Sequence, residues 1–457
     1  MIPMRKLKIF AGIALAAFAV HGRLAAQSAG TNAPSWLTRP LSLADALNVA
    51  LAQNATIMEA KSDLEAQHGI VIQTRAVALP TVKATGQYAD EEITLLQQIP
   101  ITGFSYPVPH QNWSSGIQIV QNIYMGGRMV AAIKAADATQ KQAVANYETA
   151  VADTLLNVRI AYYDVLLAAQ QITVQEASVK LLEKERQDQQ HRLDAGTVPR
   201  FNVLRAEVAV ANERPALINA RNSYRISKNN LANLLGYDLP HDVWEDVPLN
   251  LVDAFDTSPY NISLPDAVQQ ALTRRTELMA LRKDVELQDL NIVNARSGYK
   301  PVISLFGGYN WVNSEFSTDP GNQFNGWNAG AQLNWNLFDG LLTQGKVKQA
   351  RAQYAKSKIT LEDQQRQIEL QVRTACSDFL QARETLESQE KVQEEAEEAL
   401  REANARADAG TGTQLDVLDA QTSLTQARTT QIQAQHDYVA ARARVERAIG
   451  ADLAPVK

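Results

Sequence analysis

The amino-acid sequence contains the same unit twice. Residues 41–88 align without a gap on 262–309 at an offset of 221, and 14 of these 48 positions are identical. Ser42/Ser263, Asp45/Asp266, Met58/Met279, Arg75/Arg296, Pro80/Pro301 and Tyr88/Tyr309 are among them. Residues 113–236 align on 327–450 at an offset of 214, with matches at Trp113/Trp327, Gly126/Gly340, Arg159/Arg373, Asp164/Asp378, Gly196/Gly410 and Gly236/Gly450. The offset changes by seven only between residues 89 and 112, which marks a loop, where insertions are tolerated. A tandem duplication constrains the fold more than local propensity does, because each half must build the same elements and bury the same faces.

Within one unit the order reads helix, strand, loop, strand, helix, helix. The first repeat, 27–236, divides into a helix over 41–79, a β-hairpin over 80–124 and a helical hairpin over 126–236. The second, 262–450, divides into a helix over 262–300, a β-hairpin over 301–338 and a helical hairpin over 340–450. Residues 237–261, rich in Pro, Asp and aromatics and without a period, read as an equatorial linker, and 451–457 as a tail. Ser42 and Asp45 suit a helix start. Pro80 and Pro301 stop the helices because proline brings no N–H to the ladder. With Gly126 and Gly340 they mark the strand–helix junctions.

No proline interrupts the run from Gly340 to Gly410. Ile368, Ala375, Ala382, Ala396 and Ala403 recur there at multiples of seven, and Val372, Phe379, Leu386, Leu400 and Ala407 form a second such track. This 3–4 spacing puts both tracks on one side of a helix of about seventy residues, roughly 100 Å long. In the first repeat Val144, Val151, Val158, Val165, Ile172 and Val179 form the corresponding track. Its second helix holds Pro215 where the other repeat has Thr429, which predicts a bend.

After each helix-stopping proline the period changes to two. Ala329, Ala331, Leu333, Trp335 and Leu337 alternate with Asn328, Gly330, Gln332, Asn334 and Asn336, an apolar face against a polar, uncharged one. In a soluble sheet the apolar face would meet a core, but the flanking helices are too long to fold back over a ten-residue hairpin. Trp113, Trp311, Trp327 and Trp335, four of the six tryptophans, fall in these segments, as an interfacial belt requires. About ten residues also suit one bilayer crossing by a strand.

The N-terminus carries Arg5, Lys6 and Lys8, a short apolar stretch from Ile9 to Val20, and small residues at Leu24-Ala25-Ala26. Residues 1–26 read as a secretory signal peptide. No later segment is long and apolar enough for a transmembrane helix, so membrane entry would be by β-strands. Four strands cannot close a barrel, and an open sheet would leave unpaired edges in lipid. Other copies of the chain must then complete it; a trimer would supply twelve strands.

A net charge of −6 supplies no basic stripe for nucleic acid. The single Cys376 excludes an internal disulfide framework and a thiolate-pair metal site, and inside the heptads it reads as a small buried residue. His21, His68, His110, His191, His241 and His436 show no ligand spacing, and no phosphate loop or nucleophile elbow is present. Neither catalysis nor a cofactor is expected.

Asn336-Leu337-Phe338-Asp339-Gly340 at the strand-to-helix junction, the paired turns Asp194-Ala195-Gly196-Thr197 and Asp408-Ala409-Gly410-Thr411, and Leu415-Asp416-Val417-Leu418-Asp419-Ala420 together resemble the TolC family of trimeric outer-membrane efflux proteins. The resemblance covers nearly all of the chain beyond its signal. It implies a membrane β-barrel of twelve strands, four per chain, continued by an all-α barrel of long coiled-coil-like helices that forms a periplasmic tunnel. It also implies a passive, gated exit duct of a tripartite efflux or type I secretion system in the outer membrane of a Gram-negative-type bacterium. Its partners would be a periplasmic adaptor (membrane fusion) protein and an inner-membrane pump. Docking would fall at Gly196, Thr197, Asn202, Gly410, Thr411 and Gly412. Asp416 and Asp419, three apart on one helix face, would form the constriction. Asn202, Ala407 and Gly412 depart from the residues that latch the tip elsewhere in the family, which points to a different latch here. Plainer readings stand beside these: glycines as helix C-caps, aspartates as solvated residues favourable to a helix start, and the whole chain as an exported coiled-coil scaffold without a pore.

Overall fold

A computed structural model describes residues 35–90, 111–238, 247–313 and 322–451. The signal segment, most of the loop between 89 and 112, linker residues 239–246 and tail residues 452–457 lie outside the described residues. The elements run α1 (Ser35–Thr38), β1 (Pro40–Leu41), α2 (Leu43–Gln53), α3 (Ala55–Arg75), β2 (Thr81–Asp90), β3 (Gln111–Met125), α4 (Arg128–Asp194) and α5 (Arg200–Leu234). After the linker come β4 (Asn250–Leu251), α6 (Leu264–Arg274), α7 (Thr276–Arg296), β5 (Val302–Asn313), β6 (Gln323–Asn334), α8 (Leu342–Asp408) and α9 (Gln414–Ala448). Helices α4 and α8 each have 67 residues, and α5 and α9 each have 35.

The first helix expected in each repeat, 41–79 and 262–300, is two helices. Asn54 and Arg275, equivalent positions, take extended backbone conformations and break the run. Both are buried and reach the end of their own repeat's last helix. Asn54 Nδ2 donates to the Leu234 carbonyl at 2.7 Å, and Arg275 Nη1 to the Ala448 carbonyl at 3.3 Å. A tertiary bond to an orphan C-terminal carbonyl thus overrides helix propensity. Helix α5 runs unbroken through Pro215, which is solvent-exposed, so water can take the carbonyl left without a donor.

Strands order β2-β3-β5-β6, all antiparallel. Tyr88 pairs with Trp113 and Tyr309 with Trp327, while Ala84, Ile117 and Tyr309 stand in one row. Strand alternation therefore puts Trp113, Trp311 and Trp327 on one face with Val82, Ile117, Ile119 and Leu333. Lys83, Gln118, Asn310 and Asn328 occupy the other. The hairpin expected to reach 338 ends at Asn334, opposite Val302; the next partner would be Pro301, which cannot donate to the ladder. Trp335 lies just beyond, its Nε1 donating to the Tyr299 carbonyl at 3.1 Å. At the junctions Gly126, Gly127 and Gly340 have positive φ, and so does Leu341, a non-glycine residue at the position equivalent to Gly127.

Two equatorial cores hold the helices. In one, Leu41, Leu155, Val158, Tyr162, Val165, Leu231 and Leu235 pack around α4. In the other, Ile368, Val372, Cys376, Phe379 and Leu386 of α8 meet Leu278 and Tyr438. The α4 track is buried at Val158 and Val165 but exposed at Val144, because α4 touches α3, α5, α7 and α9 at different levels and cannot keep one inner face. Helices lie side by side as α3–α4–α7–α8 nearer the sheet and α5–α4–α9–α8 towards the turns.

Between the cores, Glu277 Oε1 accepts from Arg275 at 2.8 Å and from Arg447 at 2.6 Å, and Arg447 also holds Asp153 at 2.7 Å. Burial opposes the charge of Glu277, yet the two guanidiniums outweigh it and hold the carboxyl below its usual range. Glu277→Ala strands two buried cations and is expected to cost about 3 kcal/mol in denaturant unfolding in detergent. The wild-type contribution is complete above the unfolded value of about 4.3. It is lost as pH falls through the lower native value, a dependence absent from Glu277→Gln.

Candidate functional site at the helical tips

Both hairpin turns are built by the same cap. Gly196 N–H donates to the Leu193 carbonyl at 2.8 Å and Thr197 N–H to Arg192 at 2.9 Å; Gly410 and Thr411 bond likewise to Ala407 and Arg406 at 3.2 and 2.9 Å. Gly196 and Gly410 have φ of +73° and +74°, with open space where a Cβ would stand. Backbone conformation, not crowding, demands glycine there. Gly412 differs: a Cβ would lie 3.0 Å from Ala407 N and Arg406 Cβ. The chain doubles back so closely that a side chain at this position would press on the end of α8. The Thr197 and Thr411 hydroxyls donate to the Arg192 and Arg406 carbonyls, so both threonines complete their caps.

The two turns are tied to each other. Arg192 Nη2 lies 3.1 Å from Asp408 Oδ1, and Gln414 Nε2 donates to the Asn202 carbonyl at 3.1 Å. Neither Arg192 nor Gln414 carries a sequence motif, which is why reading the chain alone misses them. Asn202 takes part through its backbone, whatever its side chain. Ala407 packs with Leu400, Val417 and Leu424. Between the turns lies a cleft of about 680 Å³ lined by Arg192, Asn202, Ala407, Gly410, Gly412 and Gln421 among others. Gln189 and Gln421, both buried, present amide oxygens there with no protein donor.

Asp416 and Asp419 are exposed and one helical turn apart on α9, while Val417 and Leu418 are buried and Leu415 is largely exposed. Asp416 is also part of a capping box. Its Oδ2 accepts from Thr413 N at 2.9 Å and from Thr413 Oγ1 at 2.8 Å, and Asp416 N–H donates to Thr413 Oγ1 at 3.2 Å. Those donors hold its carboxyl below the usual carboxylate range. Asp419 has no such tie among the described bonds. A capping box satisfies two orphan amide groups reciprocally. Thr413→Ala should therefore speed local amide exchange in the first turn of α9 about fivefold, the equivalent of one lost cap, and leave exchange at α8 unchanged.

The chain is thus an amphipathic four-stranded sheet continued, at one end of its strands, by two long helical hairpins, each about 100 Å long. A family model described as "Outer membrane efflux protein" matches residues 46–237 and 267–451. The chain belongs to that family, whose members are channel and transport proteins. It is an exit duct of the outer membrane. Outer membrane protein TolC of Vibrio cholerae is 25% identical over 413 residues, 89% of this chain and 90% of that one. The cobalt-zinc-cadmium resistance protein CzcC of Cupriavidus metallidurans is 24% identical over 93% of this chain and 94% of its own. The CmeC outer membrane channel of Campylobacter jejuni superposes with a TM-score of 0.77 at 16% identity, covering 89% and 85% of the two chains.

Proposed function

We propose that three copies close into a continuous duct: a twelve-stranded barrel in the outer membrane that passes directly into a periplasmic tunnel of helices. One observation carries this reading. Among the described residues the chain is, at every level, a four-element arc open at both ends. β2 and β6 flank the sheet, α3 and α8 the upper helices, and α5 and α8 the lower ones. The open flanks expose apolar side chains, Phe201, Leu204, Val208 and Ile218 on α5 and Ile359, Leu370 and Leu380 on α8. Repeating one rotation joins β6 to the next β2 and α8 to the next α3 and α5, a head-to-tail contact that closes as a ring. The tandem duplication makes this workable, because the seam between copies reuses the pattern of the seam between repeats.

In this reading the polar sheet face lines the lumen and the tryptophans meet lipid. The turns carrying Gly196, Thr197, Asn202, Gly410, Thr411 and Gly412 lie farthest from the membrane and dock a periplasmic adaptor that links the duct to an inner-membrane pump. The duct is passive. It is held shut at its tip by Arg192–Asp408 and Gln414–Asn202, weak ties that a docking partner can displace. Asp416 and Asp419 of three copies form stacked carboxylate rings there, which concentrate cations and disfavour anions.

Native mass measurement in detergent should return a trimer; a monomer alone would rule out the barrel. Because Asp416 also caps its helix, charge is best removed with the cap retained. Asp416→Asn combined with Asp419→Asn should lower cation selectivity in planar bilayers and abolish block by a trivalent cation added at the tip. Unchanged selectivity and block would place both residues away from the constriction.

A further inference from the structure

Helices α4 and α9 run antiparallel, and the contacts across their seam change character along its length. At the equator stand Arg159–Glu446 at 2.6 Å and Arg447–Asp153 at 2.7 Å. Lower down, the Thr425 hydroxyl donates to Ser178 at 3.0 Å, and Leu182 and Leu418 pack together with Val210. Between these two zones sits His436, buried on α9. Its Nε2 lies 2.9 Å from Asp164 Oδ1 on α4, and its Nδ1 lies 3.0 Å from Asp437 Oδ1 on its own helix. A carboxylate oxygen only accepts. Gln433 Nε2 also stands 3.5 Å from Nδ1, a longer contact that a neutral ring could accept. The two shorter carboxylate contacts hold together only when both ring nitrogens carry protons, so they favour imidazolium.

We propose that His436 is a proton-operated clamp that pins α9 to α4 and sets how much of the inner helix is free to move. The groups facing it from each packed element support this. Helix α4 brings Asp164, and α9 brings Asp437, whose Oδ1 also accepts from Gln433 at 2.8 Å. The linker brings the Phe255 ring edge-on at 6.3 Å, with Asp256 beyond it already paired to Arg442. Helix α8 meets this turn through Phe379 against Tyr438. Burial alone would discharge the imidazole, but the two aspartates outweigh it and raise its proton affinity. Asp164 and Asp437 are both about half exposed, so protons exchange with solvent.

The clamp belongs to one seam only. The positions equivalent to Asp164 and His436 in the other half are Asp378 and Asn222, on α8 and α5, the helices that meet between copies in the proposed ring. That seam carries no imidazole, so a change in pH loosens the seam within each copy and leaves the one between copies intact. His436 is 26 positions from Gly410, about 40 Å of helix. Release moves the upper limit of the free segment from His436 to the permanent ion pairs at Glu446 and Arg447.

The sign follows from linkage. A histidine with a raised native value contributes fully below its unfolded value of about 6.5 and loses that contribution as pH rises through the native value. Hydrogen exchange at α9 amides 428–440, corrected for intrinsic rate, should therefore accelerate between pH 6 and pH 9, about tenfold for each unit by which the native value exceeds 6.5. His436→Gln should remove that dependence, and Asp164→Asn should move the transition to lower pH. This arm needs no pore. In bilayers, where the proposal rests on the duct reading, open probability should rise over the same range in the wild type and stay flat in His436→Gln. Wild type and His436→Gln sharing one exchange profile, or Asp164→Asn leaving the transition in place, would overturn the clamp. Exchange that behaves as expected without any pH-dependent conductance would count against the duct and leave the clamp standing.

Discussion

Hydrocarbon offers no hydrogen bonds, and the rest of this molecule follows from that. A four-stranded sheet whose outer edges, on β2 and β6, have no partner strand among the described residues is unsustainable in lipid, where each unmet backbone group costs several kcal/mol. In the proposed ring the sheet finds its missing neighbours in other copies, and the helices nearer the sheet share its openness because their order, α3–α4–α7–α8, repeats that of the strands they adjoin. In that ring the exposed apolar residues along α5 and α8 continue in water the requirement that lipid imposes on the sheet.

Below the sheet the interactions grade from strong to weak. Near the equator, buried guanidiniums are shared among carboxylates, and large side chains such as Tyr162, Phe379 and Tyr438 are nearly inaccessible to solvent. Towards the turns the contacts become a hydroxyl pair, a few leucines, and finally an exposed Arg192–Asp408 bridge. Exposed ion pairs contribute little, whereas breaking a buried one is expensive. Local opening concentrates where stabilisation is least, and here that is the end away from the sheet. His436 sits on the boundary between the two regimes.

Much of the fold could be read from the chain because duplication doubles every signal. Proline stops, paired strands and heptad tracks each occur twice at fixed offsets, and a feature seen in both copies is rarely accidental. The structure departs from that reading at three kinds of place. Asn54 and Arg275 break helices because of bonds to carbonyls some 180 residues away, which no local pattern encodes. β6 ends three residues before its alternation does, because the partner strand begins after a proline. At the tip, the glycines, Asp408 and Asp416 were visible as motif members, but Arg192 and Gln414 were not. Their roles arise from two turns meeting in space, and Asn202, which departs from the family's latch residue, takes part through its backbone carbonyl.

The equal lengths of the paired helices carry a consequence of their own. With 67 residues in α4 and in α8, and 35 in α5 and in α9, the two turns finish level. One residue added to a single helix would displace its turn by about 1.5 Å and rotate every later side chain by about 100°, carrying buried tracks to the surface. Inserts of whole heptads preserve the tracks, but only if all four helices receive them together. The span of such a stalk can therefore change only in coarse, coordinated steps, and its reach is inherited as a single quantity and not as four.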